Sequence, residues 1–136
     1  MRFPMILIIG ALLGFFSVAF GAYSEHGLRP KVSDEEFRML MTAIRYNQVH
    51  ALIISALGLI ILPSSFLNIH LFRRSGFLFI VGTILFSFSI YTSVGLQIPS
   101  LLYLTPVGGI TLMVSWLSLA YAAYKFQKNS DFDEYQ

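Results

Sequence analysis

Residues 3–22 read FPMILIIGALLGFFSVAFGA, twenty positions without a single charged side chain. Arg2 precedes the run and Glu25 is the first charge after it. A helix needs about 20 apolar residues to cross the hydrocarbon core of a bilayer. Pro4 suits the first turn of such a helix, where its missing N–H has no partner to lose. The flanks, Arg2 and Gly21-Ala22, imitate a secretory signal. The apolar run is longer than a signal core, and the expectation is a retained membrane helix.

The rest of the chain repeats this pattern. Hydrophobic residues make up 56% of the 136 positions and charged residues 12%, about half the usual share of a soluble domain. Further spans are expected at about residues 50–67, 76–95 and 105–124. Pro63-Ser64-Ser65 interrupts the second near its end. Gln97-Ile98-Pro99-Ser100 reads as a tight uncharged turn, and Thr105-Pro106 as N-cap and first residue of the fourth helix. Between the first two spans, Ser33-Asp34-Glu35-Glu36 spells a capping box. Phe37, Leu40, Met41 and Ile44 then form one apolar stripe, while Arg38, Thr42 and Arg45 lie off it. This predicts an amphipathic helix over about 34–48, resting on the membrane surface or on the bundle. Residues 125–136 form a tail. The expected fold is all-α: a single membrane domain, 1–136, with four transmembrane helices and one short interfacial helix.

Helices in lipid associate through small residues and hydrogen bonds rather than through hydrophobic burial. Gly10, Gly14 and Gly21 mark the packing face of the first span, Gly58 that of the second and Gly82 that of the third. Gly108 and Ser115 mark the face of the fourth. Orientation follows from Lys and Arg. Arg2, Arg73, Arg74, Lys125 and Lys128 share one side; Arg29, Lys31, Arg38 and Arg45, offset by acids, share the other. The rule places both termini in the cytoplasm.

The chain has no cysteine, which excludes disulfides, thiolate metal sites and cysteine nucleophiles. A net charge of +2 with no basic run does not suit nucleic acid. The predicted spans carry no Asp, Glu, Lys or Arg, which argues against a pump and against paired-carboxylate catalysis. His26, His50, Tyr91 and Thr105 are expected at the non-cytoplasmic mouth of the bundle, with Glu25, Arg45, Tyr46 and Asn47 near in sequence. Three readings stand for this cluster: a structural network, a site for a ligand, lipid headgroup or partner, and a metal site on His26, His50 and Glu25. No ligand spacing is recognisable, so neither a metal nor a cofactor is expected. His70 reads as a solvated loop residue.

Four stretches resemble a known family. Gly21-Ala22-Tyr23-Ser24-Glu25-His26-Gly27-Leu28 resembles the "GAFGAHGL" motif of the domain of unknown function 423 family, and Thr42 to Leu52 resembles its "TAVRYQMYHAL". Leu85-Phe86-Ser87-Phe88-Ser89-Ile90-Tyr91 is similar to "LFSGSLY", and Leu104-Thr105-Pro106-Val107-Gly108-Gly109 with a later Trp116 to "ITPIGG" and its Gly-Trp. Phe88 stands where the motif has glycine, and Ser24-Glu25 where it has Gly-Ala. His26, His50, Tyr91 and Thr105 fall on motif positions. The resemblance implies a small multi-pass protein of the bacterial inner membrane, similar to eukaryotic transmembrane protein 256, and implies no reaction. The expected function is non-catalytic: an accessory, assembly or scaffold subunit of a membrane complex. The alternative is a module that binds or transports a lipid, quinone or small neutral solute. A metal-dependent membrane enzyme is the third reading.

Overall fold

The computed structural model describes residues 4–62 and 69–134, with side chains as far as Lys128. Helix α1 (Met5–Tyr23) runs into a π-helical turn (Ser24–Leu28) and a 3-10 turn (Arg29–Lys31), followed by α2 (Asp34–Ile61). Helix α3 (Ile69–Thr83), a second π turn (Ile84–Phe88) and α4 (Ser89–Leu96) form one continuous rod. A 3-10 turn (Pro99–Tyr103) leads to α5 (Leu104–Glu134). Four helical segments among the described residues are long and apolar enough to cross a membrane. The expected interruption at Pro63-Ser64-Ser65 lies outside the described residues.

Helix α2 amends the sequence expectation. The amphipathic stretch 34–48 is not a separate surface helix but the first half of a helix that reaches Ile61 without a break. No glycine or proline lies between Asp34 and Gly58, so nothing in the sequence ends the helix. Its stripe packs inward. Leu40, Ala43 and Ile44 are buried with Leu28, Ile90, Tyr91 and Val94. The start is fixed as expected: the Ser33 N–H donates to Glu36 Oε2 at 2.8 Å, and the Glu36 N–H donates to Ser33 Oγ at 3.2 Å. These bonds, outside the apolar slab, hold the Glu36 carboxyl below its ordinary value. The tail is also helical, since α5 continues to Glu134.

Two antiparallel pairs make the bundle. In the α1/α2 pair, a methyl group built on Gly58 would sit 2.6 Å from the Leu7 Cα, and one on Gly10 would sit 2.7 Å from the Ser55 N. The backbones touch there because neither glycine carries a side chain. Gly14 and Gly21 are looser, with 3.9 Å to the Ala51 Cβ and 3.8 Å to the Ile44 side chain. In the α3/α5 pair, a methyl group built on Gly82 would sit 2.9 Å from the Leu112 side chain. Gly108 abuts the backbone of the second π turn, where an added methyl would lie 2.7 Å from the Leu85 carbonyl carbon and from the Phe86 Cα. Ser115 is buried, its hydroxyl donating to the Thr111 carbonyl at 2.7 Å. Helices α2 and α5 scarcely touch, and the rod of α3 and its π turn lies between the α1/α2 pair and α5.

Several buried hydroxyls are bonded to helix carbonyls or to each other, as a medium without water favours, while the Ser24 hydroxyl, at the end of α1, has no partner. Ser17 donates to the Gly14 carbonyl and Thr83 to that of Phe79, each at 2.7 Å. Others tie helices together. Ser87 donates to the Ala43 carbonyl at 2.9 Å, and Ser75 meets Ser118 at 2.8 Å.

Candidate functional site

Depth within the bundle decides what the expected polar cluster can be. Nineteen residues of α1 span about 28 Å at 1.5 Å per residue, close to the thickness of the hydrocarbon core. Gly14 is the midpoint of α1 and faces Ala51. His50, beside Ala51 and buried, therefore lies near the middle of the slab and not at its mouth. Glu25 and His26 are exposed on the first π turn, about 18 Å further along the axis from Gly14. The structure does not bring His26, Glu25 and His50 together, and no group of three His, Cys, Asp or Glu able to hold a metal occurs among the described residues. His70 is exposed in the first turn of α3, on a helix rather than a loop.

The remaining expected residues fall into three groups. Asn47 and Tyr91 form a buried pair between α2 and α4, with the Asn47 amide donating to the Tyr91 hydroxyl at 3.3 Å. The Tyr91 ring stacks on Phe20 at 4.2 Å. This pair fills space and ties helices. Thr105, expected as an N-cap, instead lies one residue inside α5, and its hydroxyl meets Ser89 at 2.7 Å, fastening α4 to α5. Arg45, Tyr46 and His50 form the third group, on the face of α2 that looks toward α5.

Between that face and α5 runs a cleft made of two adjoining hollows. The deeper one, about 530 Å³, is walled by Arg45, Tyr46, Val49 and His50 on α2 and by Gly109, Leu112, Met113 and Trp116 on α5. The upper one, about 520 Å³, is walled by Arg38, Met39 and Thr42 on α2 and by Thr105, Pro106 and Gly109 on α5. Phe86 and Gly109 line both, which makes the hollows continuous. Phe86 forms the floor, and Phe79, seven residues earlier on the rod and fully buried, packs beneath His50 and Trp116. Phe86 stacks on Tyr46 at 4.5 Å, and Phe79 meets Trp116 edge-on at 5.1 Å with an interplanar angle of 86°.

His50 Nδ1 lies 2.7 Å from the Tyr46 carbonyl oxygen. A carbonyl only accepts, so Nδ1 carries the proton and Nε2 is left as an acceptor. Arg38 and Arg45 are exposed and have neither an ion pair nor a hydrogen bond to a side chain among the described residues, unlike Arg29, which pairs with Asp34 at 2.9 Å. Sequence reasoning found Arg45, Tyr46 and His50 but missed Arg38, Phe79, Phe86, Gly109 and Trp116 as neighbours. Arg38, Thr42, Arg45 and Val49 do stand at i, i+4, i+7 and i+11, one stripe of a helix. No comparable signal places α5 opposite that stripe.

Four long apolar helical segments among the described residues, packed through glycines and interhelical hydroxyl bonds, with a cleft open along the side, define a multi-pass α-helical membrane protein. The chain belongs to the family of proteins of unknown function designated DUF423, which matches residues 20–109. It is similar to a UPF0382 membrane protein of Staphylococcus aureus (strain bovine RF122 / ET3-1), at 34% identity over 122 residues, covering 90% of this chain and 97% of that one. It is similar to the UPF0382 membrane protein YwdK of Bacillus subtilis (strain 168), at 31% identity over 122 residues, covering 90% and 98%. A UPF0382 membrane protein of Haemophilus influenzae is 31% identical over 119 residues, covering 88% and 93%. No solved structure matches the chain.

Proposed function

We propose that this chain is a non-catalytic binding module of the bacterial inner membrane, which holds a bilayer amphiphile in the cleft between α2 and α5. The observation that carries this reading is the geometry of the cleft. It runs along the bundle from Arg38 to His50, about 18 Å at 1.5 Å per residue, close to the depth of one leaflet. Arg38 stands at the end nearest the loops, Arg45 lies about 10 Å further in beside Tyr46, and the walls beyond are apolar. Gradation from charged to apolar along one groove fits a molecule that is itself graded in that way. Gly109 offers a direct test. A methyl group there would meet the Phe86 ring only at 3.8 Å, so the backbone has room for a side chain, and a large one projects into the cleft. Gly109→Phe is expected to remove lipid that co-purifies with the wild-type protein in mild detergent, read by native mass spectrometry, with helix content by circular dichroism unchanged. Lipid retained at wild-type occupancy would dispose of the cleft as a binding site.

An accessory or assembly role is the second reading. It is favoured by the exposure of the outer helices: only 22% of the apolar window of the first segment and 17% of that of the last are buried inside this chain. Purification at native expression level is expected to bring down a defined membrane partner under this reading; a lone chain counts against it. Both termini are proposed to face the cytoplasm, on the strength of Arg73, Arg74, Lys125 and Lys128 at that end. Since the chain lacks cysteine, a single cysteine introduced at Lys31 would be labelled from outside intact cells, and one at Lys128 would not.

A further inference from the structure

We propose that the occupant of the cleft is an anionic phospholipid, its phosphate held between Arg38 and Arg45 and one acyl chain laid over Phe86 toward Trp116. The inference rests on the cleft being an amphiphile site and names the chemistry that site selects. Arg38 and Arg45 lie two turns apart on one face of α2, with Thr42 between them, and each lines one of the two hollows. The nearby carboxylates do not neutralise them. Asp34 is taken by Arg29, and Glu36 is held by Ser33 in the capping box. Glu35, one turn from Arg38, is exposed and makes no ion pair among the described residues.

Below the arginines the walls change to Val49, Leu112 and Met113, and no carboxylate lines either hollow. A free phosphate would use the cations and leave this apolar length bare. A neutral quinone would use the apolar length and leave two cations bare. A phospholipid with net negative charge uses both, and guanidinium groups bind phosphate through parallel N–H donors. The i, i+7 spacing separates the two Cα atoms by about 10.5 Å along the axis, within reach of two long side chains converging on one headgroup.

The test is a native mass-spectrometry titration of the full chain in mild detergent, with phosphatidylglycerol and phosphatidylcholine bearing identical acyl chains. Wild type is expected to bind phosphatidylglycerol about thirtyfold more tightly than phosphatidylcholine, as two arginines near a headgroup imply. The Arg38→Gln, Arg45→Gln double variant, which changes only exposed side chains, is expected to bind the two lipids equally, having lost most of the affinity for phosphatidylglycerol. Excess inorganic phosphate is expected to leave the bound phosphatidylglycerol in place; its displacement would make the site one for phosphate and overturn the proposal. Equal binding of both lipids by wild type, or a preference that survives in the double variant, overturns it as well. Gly109→Phe separates this failure from that of the broader reading. If it abolishes binding of two lipids that wild type holds equally, the cleft remains an amphiphile site without charge selection. If it changes nothing, the cleft itself is not the site.

Discussion

Gly108→Ala is expected to destabilise the bundle by about 2–3 kcal/mol, while Gly109→Ala, one residue on, is expected to be close to neutral. The added methyl at 108 would lie 2.7 Å from the Leu85 carbonyl carbon and the Phe86 Cα, which are backbone atoms and cannot rotate away. Relief requires α5 to move off the second π turn, and overpacking of this kind costs about 1–3 kcal/mol even where side chains share the strain. The movement also stretches the Ser89–Thr105 bond of 2.7 Å, which crosses the same contact. At 109 the methyl would meet only the edge of the Phe86 ring, at 3.8 Å, an ordinary contact. Reversible unfolding in mixed micelles, followed by circular dichroism, reads both. Equal losses for the two variants would mean that α5 is rotated from the position described.

The same comparison shows which parts of the fold were legible in the sequence. Long charge-free runs disclosed the spans, because lipid admits little else. Glycine positions disclosed packing faces, but not how tight each contact is: Gly10 and Gly58 lie against backbone, whereas Gly14 and Gly21 have room for a methyl. That difference depends on the register between helices, which the sequence of one helix does not contain. The continuity of α2 was legible in principle, since no breaker separates Asp34 from Gly58. Arg45 and Asn47 lie within a helix whose upper half leans on Leu28 and Ile90, Asn47 buried with its amide on Tyr91 and its Oδ1 without a partner.

The candidate site was half visible. Arg45, Tyr46 and His50 are local in sequence and stayed together in the cleft. Grouping His26 with His50 failed because chain proximity to a span end was read as depth. His50 is sixteen residues into α2, and the antiparallel pairing with α1 puts it halfway down. The second π turn was not legible at all. It adds a residue to one turn of the rod, turning Phe86 toward Tyr46 while the Ser87 hydroxyl reaches the Ala43 carbonyl at 2.9 Å. The Leu85 to Tyr91 stretch that resembles a family motif is thus where the rod is reshaped to floor the cleft.

Phe79→Ala is the second large effect expected, and its size depends on lipid being the solvent. In a water-soluble core this change costs about 3–5 kcal/mol, partly because the ring is withdrawn from water on folding. Here the dissociated helix would expose the ring to hydrocarbon, so that part of the cost is absent and the loss of packing remains. Phe79 is fully buried, against His50 at 5.7 Å and Trp116 at 5.1 Å between ring centres. A void of roughly 100 Å³ at about 24 cal/mol per Å³ amounts to about 2 kcal/mol. Phe77→Ala, on the same helix, removes a ring that is 44% exposed to the outside of the bundle. That ring meets lipid whether or not the helices are assembled, so its loss is expected to change stability by less than about 0.5 kcal/mol. In water the two substitutions would both register, one as a cavity and the other as a gain in solubility. In detergent or bilayer only Phe79→Ala should register, and it should also deepen the cleft beneath Trp116, quenching or shifting the emission of the chain's single tryptophan. A Phe77→Ala loss as large as that of Phe79→Ala would mean that the exposed face of α3 is covered by something other than lipid.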